Sequence, residues 1–355
     1  MLNELKNTAA KINEIILNDD FPSIIEPKYL RGTVIDYPGR GGKRLRPALL
    51  TWCCGLLGGD PQKALYPAVA VEIYHNWTLV HDDIIDDDDV RRGLPSAHAS
   101  LTKYARDNFR NLRFGAEKFG RDFAILAGDI QQGWAANMML KAADNGMSPE
   151  VTIALSRRMQ ELVTRELISG EALDVEFPMR GLKNVTSREV LDMLYLKTGA
   201  LLRFCAEAGA AIALDSTDFN SPEIRRLGDF ASTAGIAFQL RDDWLGVFGN
   251  FSKFGKSLGS DLAEEKLTLM LMKAYESLDA DKKYKLMNLL GLESYTMDVI
   301  EEARELFIMS GAEKYIRQKA DHLAEEAKTI LEKFPDNEYR GWLSELTDYL
   351  VHRDK

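Results

Sequence analysis

Amphipathic helical patterns and helix-capping signals dominate the chain. Ser148-Pro149-Glu150 and Ser221-Pro222-Glu223 each have the residue types that favour a helix N-cap and the first two helical positions. Thr186 and Glu189 have the spacing of a capping box. No alternating run of β-branched residues indicates a sheet. The pattern therefore predicts an all-α protein in which long helices pack as a bundle.

The chain shows no sign of a domain boundary. No Pro/Ser-rich linker and no fixed-period repeat interrupts it, so we predict a single domain over residues 1–355. One segment, residues 104–121, looks inserted because it concentrates cations in an otherwise acidic chain. These cations are Arg106, Arg110, Arg113, Lys118 and Arg121. A solvated face is the ordinary interpretation of such a charge run, and a lid or a contact with an anionic partner is the functional alternative.

Composition excludes several classes of protein. The 355 residues are 45% hydrophobic, which is enough for one large or two medium cores. A net charge of −10 argues against nucleic acid as the main partner. No apolar run reaches the length of a membrane span, and the N-terminus lacks the features of a signal peptide. Cys53, Cys54 and Cys205 form no Cys-x-x-Cys pattern, so we expect buried thiols in a reducing, cytoplasmic setting.

Two clusters of aspartates are the main chemical feature of the chain. They are Asp82-Asp83-Ile84-Ile85-Asp86 and Asp242-Asp243, each preceded by an amphipathic helical pattern. Carboxylates at positions i, i+1 and i+4 share one end of a helical face, where they repel each other unless a cation is present. Ligand sets made only of oxygen suit Mg²⁺, which is usually shared with substrate phosphates. The clusters therefore predict that Mg²⁺ joins the carboxylates to a diphosphate.

Basic residues accompany the first cluster. Arg91 and Arg92 follow it and can bind phosphate oxygens in a forked geometry. Gly41-Gly42-Lys43-Arg44-Leu45-Arg46-Pro47 is a glycine-rich turn that presents Lys43 and Arg46, although it lacks the residues of a Walker A loop. His75 lies two helical turns before Asp82 on the same side, where it can donate to a phosphate. A basic loop is more often ordinary solvated surface, and a lone His is more often structural, so these residues by themselves leave both an anion site and a plain surface open.

Taken in order, these motifs resemble those of the trans-isoprenyl diphosphate synthases, or polyprenyl synthetases. The resemblance covers roughly residues 38 to 275. Its pieces are Gly-Gly-Lys-Arg-Leu-Arg-Pro at 41–47, Asp-Asp-Ile-Ile-Asp at 82–86, Arg-Arg-Gly at 91–93, Ala-Ile-Leu-Ala-Gly-Asp at 124–129, Lys197-Thr198, Phe-Gln-Leu-Arg-Asp-Asp at 238–243, Gly-Lys at 255–256, Ser-Asp at 260–261, and Lys266 with Thr268. It implies a helical bundle of the isoprenoid synthase type around a central active-site cavity.

The resemblance also implies an activity, the condensation of isopentenyl diphosphate with an allylic diphosphate, and a role for each matching residue. The residues implied to bind Mg²⁺, three ions per active site, are Asp82, Asp83, Asp86, Asp242 and Asp243. Those implied to contact the allylic diphosphate or its reacting end are Arg91, Lys197, Lys256, Lys266, Thr198 and Gln239. Those implied to hold isopentenyl diphosphate are Lys43, Arg46, His75 and Arg92. A homodimer is implied as well.

The chain departs from the family pattern at two positions. The second aspartate motif usually has a third Asp, but this chain has Gly246. Because Asp242 is retained, we expect activity, and we expect Gly246→Asp to be neutral or to improve Mg²⁺ affinity. The usual Gly-Gln-x-x-Asp is Gly170-Glu171-Ala172-Leu173-Asp174, so an acid replaces a neutral amide near the metals.

Three residues before the first cluster occupy the family's chain-length positions. Thr78, Trp77 and Tyr74 stand four, five and eight residues before Asp82. Trp77 and Tyr74 are large, so we expect the pocket to close early, although aromatic side chains on a helix are often plain core. The cluster lacks the two-residue insertion of bacterial farnesyl diphosphate synthases and looks more like archaeal geranylgeranyl diphosphate synthases. We therefore expect a C20 product, with C15 second.

Other functions remain open from the sequence. A terpene synthase shares the fold and the metal-driven ionisation, but it needs no second diphosphate site. A non-catalytic subunit of a heteromeric synthase would tend to lose the acidic clusters that this chain keeps. A di-iron bundle would need paired Glu-x-x-His motifs, which the chain lacks. A purely structural bundle would account for the composition but not for the order of the motifs.

Overall fold

The computed structural model describes residues 1–249, 259–292 and 294–352. The regular secondary structure of the described residues is almost entirely helical, which confirms the predicted all-α class. Its helices are α1 (Leu2–Asn18), α2 (Lys28–Gly39), α3 (Leu45–Leu56), α4 (Leu65–Ile85), α5 (Ala97–Asn108), α6 (Ala116–Asp144), α7 (Pro149–Arg158), α8 (Thr164–Arg180), α9 (Ser187–Leu194), α10 (Ala200–Leu214), α11 (Pro222–Phe248), α12 (Ser260–Ala263), α13 (Leu269–Ser277), α14 (Ala280–Asn288), α15 (Met297–Met309), α16 (Ala312–Leu331) and α17 (Glu338–His352).

Short elements of other types complete the chain. Strands β1 (Val90–Arg91) and β2 (Leu94–Pro95) pair antiparallel, with Val90 opposite Pro95. Single turns of 3₁₀-helix lie at Phe21–Ile24 and Leu182–Asn184, and π-helical turns lie at Met159–Val163 and Tyr195–Gly199. The hairpin of β1 and β2 follows the first aspartate cluster in the chain, and Arg91 is the last residue of its first strand.

The helices divide into two compact units. Unit 1 comprises Met1–Arg157 and Ala208–Phe219, and unit 2 comprises Arg158–Glu207 and Asn220–Lys355. The sequence predicted a single domain over residues 1–355, and that boundary stays a prediction.

Unit 1 is organised around α4, which packs against α6, α3 and α5. Helix α4 is apolar on most of its faces and buries twelve of its residues, as expected for a central helix. Tyr74 and Ile73 of α4 and Trp134 of α6 are among the largest fully buried side chains. This burial fixes the direction of α4, so the aspartates at its C-terminal end are presented from a rigid element.

Unit 2 is organised around α11, which packs against α16 and α17. The indole Nε1 of Trp244 on α11 donates to Glu313 Oε1 of α16 at 3.0 Å. Helix α8 approaches the π-helical turn Tyr195–Gly199 closely, because a Cβ added at Gly170 would lie 2.4 Å from the backbone nitrogen of Lys197. Only glycine allows this approach, which brings Lys197 and Thr198 beside α8. Such π-helical turns often occur at functional sites.

The helix ends and the thiols lie as the sequence predicted. Thr186 caps α9, and its capping box with Glu189 is complete. The sequence also predicted helix starts at Pro149 and Pro222, and both are observed. All three cysteines are buried and none forms a disulfide. The cytoplasmic location stays a prediction.

Residues 104–121 form the end of α5, a loop, and the start of α6. Their cations are largely paired with carboxylates: Arg106 with Glu117, Lys118 with Asp122 at 2.7 Å, and Arg121 with Asp87 at 2.6 Å. Because these ion pairs neutralise most of the positive charge, they favour the interpretation of a solvated surface over that of a binding site for an anionic partner. The interpretation of the segment as an insertion stays a prediction.

In the part of the chain that the structure describes, no helix combines the length with the apolar composition that crossing a bilayer requires.

Candidate active site

The first aspartate cluster lies at the C-terminal end of α4. Asp82 and Asp83 occupy its last turn, and Asp86 is its C-cap residue, with its backbone N–H donating to Asp82 O. Asp82 and Asp86 are half-buried, whereas Asp83 is fully buried. The C-terminal end of a helix is the negative end of its dipole, so carboxylates there are unfavourable unless a cation stabilises them.

Arg91 is a cation that contacts this cluster directly. Its Nε donates to Asp83 Oδ1 at 2.6 Å, and its Nη2 lies 3.1 Å from Asp82 Oδ2 and 3.6 Å from Asp88 Oδ2. Burial acts to lower the pKa of Arg91, but the hydrogen bonds and charges of these aspartates raise it overall. The guanidinium is therefore a fixed positive charge at the position where the sequence predicts a contact with diphosphate.

Asp83 has a different environment from its neighbours. Its Oδ1 accepts from Arg91, and its Oδ2 accepts from the hydroxyl of Tyr37. Burial raises the pKa of Asp83, and these two donors only partly offset that effect. The metal-binding role of Asp83 stays a prediction, but in this arrangement the carboxylate orients Arg91.

The glycine-rich turn leads directly into α3. Gly41 and Gly42 have φ angles of +75° and +143°, which an L side chain rarely adopts. Arg44 is buried, and its guanidinium donates to Glu72 Oε1 and to Pro38 O, both at 2.6 Å. It therefore ties the turn to α4 and α2. Lys43 is exposed on the same turn.

Three of the four residues predicted to hold isopentenyl diphosphate influence each other electrostatically. The pKa of His75, a half-buried residue, is well below its usual value because its surroundings desolvate the imidazole and because Arg46 and Arg92 disfavour a further positive charge. Arg92 Nη1 donates to Gly41 O at 2.8 Å, which joins the hairpin to the glycine-rich turn. The group combines a neutral imidazole with two guanidinium groups, and it suits a polyanion.

The second aspartate pair lies on α11. Asp243 is buried, and its Oδ1 accepts from Gln239 Nε2 at 3.1 Å. Gln239 Oε1 in turn accepts from the hydroxyl of Thr198 at 3.1 Å. The structure therefore links three of the predicted site residues in one hydrogen-bonded chain. Asp242, one residue earlier on α11, is half-buried.

The electrostatic environment of Asp243 indicates a cation site. Burial raises the pKa of Asp243 well above its usual value, and the charges of Asp261, Asp242 and Asp174 raise it further. A buried carboxylate among other carboxylates is costly unless a proton or a cation neutralises it. Hard divalent cations such as Mg²⁺ prefer oxygen ligands of this kind, so the residues fit the predicted metal.

Lys197 and Lys266 are both paired with carboxylates of unit 2. Lys197 Nζ lies 2.7 Å from Asp174 Oδ2 and 2.9 Å from Glu171 Oε2. Glu171, which replaces the family's usual amide, thus supplies a counter-charge to Lys197. Lys266 Nζ lies 2.6 Å from Glu264 Oε2. The predicted site residue Lys256 lies outside the described residues.

Asp261 lies where the chain lacks the third aspartate of the second motif. A Cβ added at Gly246 would lie 3.0 Å from Asp261 Oδ2, and Gly246 O accepts from the backbone N–H of Gly259 at 2.9 Å. The carboxylate of Asp261 therefore stands beside the position that a side chain at 246 would fill. Asp261 belongs to the Ser-Asp motif at 260–261, but no role for it could be predicted from the sequence, because a contact over 15 positions has no local signal.

The proposed chain-length residues pack together on α4. The ring centroids of Tyr74 and Trp77 are 4.8 Å apart in an edge-to-face arrangement. Tyr74 is fully buried, and Trp77 is 8% exposed. The hydroxyl of Thr78 donates to His75 O at 2.8 Å, so this side chain is engaged by its own helix.

Comparison with known proteins places the chain in a family. The family model for polyprenyl synthetases matches residues 27–307. A geranylgeranyl diphosphate synthase of Sulfolobus acidocaldarius is 33% identical over 331 residues, which cover 90% of each protein. A geranylfarnesyl diphosphate synthase of Aeropyrum pernix is 33% identical over 95% of this chain and 98% of that protein. The crystal structure of a geranylgeranyl pyrophosphate synthetase from Pyrococcus horikoshii superimposes with a TM-score of 0.84 at 32% identity, covering 99% of this chain and 98% of that one.

An all-α fold of this kind, with aspartate clusters beside cationic side chains, defines the class of the protein as a short-chain trans-prenyltransferase. The chain belongs to the polyprenyl synthetase family. The resemblance identified from the ordered motifs is confirmed.

The raised pKa of Asp243 predicts a pH-dependent response to Mg²⁺. An unfolded Asp titrates at about 3.9, so a raised pKa means that protonation favours the folded state. Without Mg²⁺, stability should therefore fall as the pH rises from about 4 through the raised value. Mg²⁺ should then raise the melting temperature more at pH 8 than at pH 5, because it replaces the proton. Calorimetry in EDTA and in Mg²⁺ measures this difference.

Asp243→Asn should flatten this pH dependence, whereas Asp336→Asn, which changes an exposed carboxylate of unit 2, should retain it. Equal pH profiles for Asp243→Asn and the wild type would contradict the interpretation.

Proposed function

We propose that this prenyltransferase is Mg²⁺-dependent and condenses isopentenyl diphosphate with an allylic diphosphate to give an all-trans C20 diphosphate. The observation that carries the proposal is in unit 1, where the electrostatically coupled group of His75, Arg46 and Arg92 accompanies the carboxylate cluster held by Arg91. Two substrates need two sites for polyanions. A terpene synthase needs only one, and it would leave the group around His75 without a function.

The residues proposed to hold the metal are Asp82, Asp83, Asp86, Asp242 and Asp243. Bound Mg²⁺ would stabilise the negative charge that develops on the leaving diphosphate. The predicted number of three ions stays a prediction.

The chain's own cations act on the same charge. Arg91 and Lys197 would bind the allylic diphosphate as its carbon–oxygen bond breaks, and Lys256 and Lys266 would assist them. Lys197 now lies between two carboxylates, so it would exchange part of that pairing for the diphosphate. Arg91, in contrast, is already held in place by the aspartates, so it would stabilise the transition state without reorganisation during the reaction.

The second substrate would be positioned by Lys43, Arg46, His75 and Arg92. Holding its double bond beside the allylic cation converts a bimolecular step into an effectively unimolecular one. The new carbon–carbon bond forms from the π electrons of isopentenyl diphosphate, and a proton is then lost from the adjacent carbon. The departing diphosphate can accept that proton, so the proposal needs no dedicated general base.

Assay of the purified protein tests the function directly. With Mg²⁺, isopentenyl diphosphate and each allylic primer in turn, we expect chain elongation that EDTA abolishes. Asp82→Ala and Asp242→Ala should each nearly abolish turnover, because each removes a carboxylate worth several kcal/mol to the transition state. Asp107→Ala, which removes an exposed carboxylate on α5, is the matched control and should retain activity.

The alternatives give different outcomes in that assay. Release of a hydrocarbon without incorporation of isopentenyl diphosphate would indicate a terpene synthase. No turnover with any primer would indicate a non-catalytic subunit. Wild-type rates in Asp82→Ala or Asp242→Ala would refute the assigned role of that residue.

The length of the product should depend on Trp77 and Tyr74. Both rings are buried, and they lie roughly 7.5 and 12 Å from Asp82 along α4 at 1.5 Å per residue. Trp77→Ala, alone or with Tyr74→Ala, should lengthen the product beyond C20 because it opens the floor of the pocket. Chromatography of the dephosphorylated products measures the change. Trp134→Ala, which removes another buried ring of unit 1, is the control for a general loss of packing. An unchanged product in the double variant would contradict the assignment.

A homodimer is proposed from the family and is supported by an exposed apolar face on α6. Ile125, Leu126 and Leu140 are 43%, 46% and 53% exposed and lie on one side of the helix. A face of this kind is typical of a subunit interface. We expect a dimer by light scattering at micromolar concentration. Leu126→Glu with Leu140→Glu should give a monomer, whereas Leu17→Glu, at a 71% exposed position on α1, should not. A monomeric wild type would contradict the proposal.

A further inference from the structure

The last turn of α2 contacts the first aspartate cluster although it belongs to none of the motifs identified in the sequence. Tyr37 in this turn is 2% exposed. Its hydroxyl donates to Asp83 Oδ2 and accepts from the backbone N–H of Ala97 at 3.2 Å. Both hydrogen-bonding capacities of the hydroxyl are therefore used, and its orientation is fixed.

Asp83 passes this constraint on to Arg91. The carboxylate holds Tyr37 through Oδ2 and the Arg91 guanidinium through Oδ1, where the Nε–O distance is 2.6 Å. Asp83 is fully buried, so both oxygens of its carboxylate face protein groups rather than bulk solvent. The Tyr37 hydroxyl thus constrains the Arg91 side chain through Asp83, in addition to the direct contacts of Arg91 with Asp82 and Asp88.

Arg40, at the C-cap of α2, fixes the backbone of the same hairpin. Its Nη1 donates to Arg91 O at 3.2 Å, and its Nη2 donates to Pro95 O at 2.6 Å. Its guanidinium also lies over the ring of Tyr37, 4.6 Å from the centroid. One turn of helix therefore holds both the side chain and the main chain of Arg91.

The same turn leads into the second anion site. Gly41 follows Arg40 directly, and its carbonyl accepts from Arg92 Nη1 at 2.8 Å. Arg91 and Arg92 are neighbours in the chain but are predicted to serve different substrates. The end of α2 thus contacts residues of both sites.

We propose that Tyr37 is a positioning residue for the condensation: acting through Asp83, it sets the place of Arg91 against the allylic diphosphate and keeps that site in register with the second substrate's site. This inference rests on the proposed function. It differs from a purely structural role, in which the hydroxyl would satisfy buried polar groups and affect stability alone.

Tyr37→Phe removes the hydroxyl and keeps the ring under Arg40. Tyr29→Phe is the matched control, since it makes the same change on the same helix. The ring of Tyr29 packs against Tyr104, and within the described residues its hydroxyl makes no hydrogen bond. Partners that orient a ligand-binding group typically contribute about 10- to 100-fold to affinity or activity. We therefore expect a loss of that size in kcat/KM for the allylic diphosphate in Tyr37→Phe and about none in Tyr29→Phe.

Binding of inorganic pyrophosphate with Mg²⁺, measured by calorimetry, gives a readout that does not depend on turnover. Its affinity should fall in Tyr37→Phe and not in Tyr29→Phe, at a temperature well below the melting temperature of each variant. A variant that melts earlier but binds pyrophosphate as the wild type does would overturn the inference, because that outcome describes a structural role. A third outcome separates the two proposals. If Tyr37→Phe weakens pyrophosphate binding but the wild type elongates no primer, the proposed function is wrong, whereas the role of Tyr37 in diphosphate binding is supported.

A double-variant cycle tests whether Tyr37 acts through Asp83. In Asp83→Asn, the further change Tyr37→Phe should have about no effect on pyrophosphate affinity, because the connecting carboxylate is already lost. Independent losses that add up in the double variant would overturn the proposed route.

Discussion

Burial of negative charge inside an apolar helical protein is the constraint on which the site depends. Asp83 and Asp243 are both buried, and an unpaired carboxylate in that position would cost several kcal/mol. The two units meet the constraint differently. In unit 1 the donors Arg91 and Tyr37 hold Asp83, whereas in unit 2 Asp243 has one amide donor and several acidic neighbours. The described donors to the two buried carboxylates therefore differ: Asp83 accepts from a charged guanidinium and a phenol hydroxyl, whereas Asp243 accepts from an uncharged amide.

This difference means that the charged groups of the two clusters are held differently before any substrate binds. Arg91 is fixed in unit 1, so a diphosphate would meet a preorganised cation there. In unit 2 a proton and a metal ion would compete for Asp243, and Lys197 is shared between Glu171 and Asp174. Close packing makes both arrangements rigid: the glycine at 170 brings α8 against the π-helical turn that carries Lys197, and burial of α4 fixes the end that carries Asp82.

Sequence patterns predicted the parts of this structure that depend on local spacing. The two-turn separation of His75 and Asp82 and the capping box of Thr186 both follow from helical geometry. Contacts between distant positions could not be predicted in this way. Tyr37 reaches Asp83 across 46 positions, and Arg44 reaches Glu72 across 28. The partner of each residue is set by tertiary packing and leaves no trace in local sequence spacing. From the sequence alone, Tyr37 is only a tyrosine outside the identified motifs, and Arg44 is only one of several cations in a basic turn.

The two departures from the family pattern can be understood together as a balance of charge. Relative to that pattern, Gly246 removes one carboxylate from the second motif and Glu171 adds one beside Lys197. Unit 2 therefore keeps the same number of acidic groups in these motifs, but their distribution changes. The carboxylate of Asp261 lies next to Gly246. Glu171 and Asp174 both form an ion pair with the ammonium group of Lys197. Mg²⁺ binding depends on the placement of oxygen ligands as well as on their number. A shift of one carboxylate from position 246 to position 171 would therefore change a metal site even though the charge of these motifs stays the same.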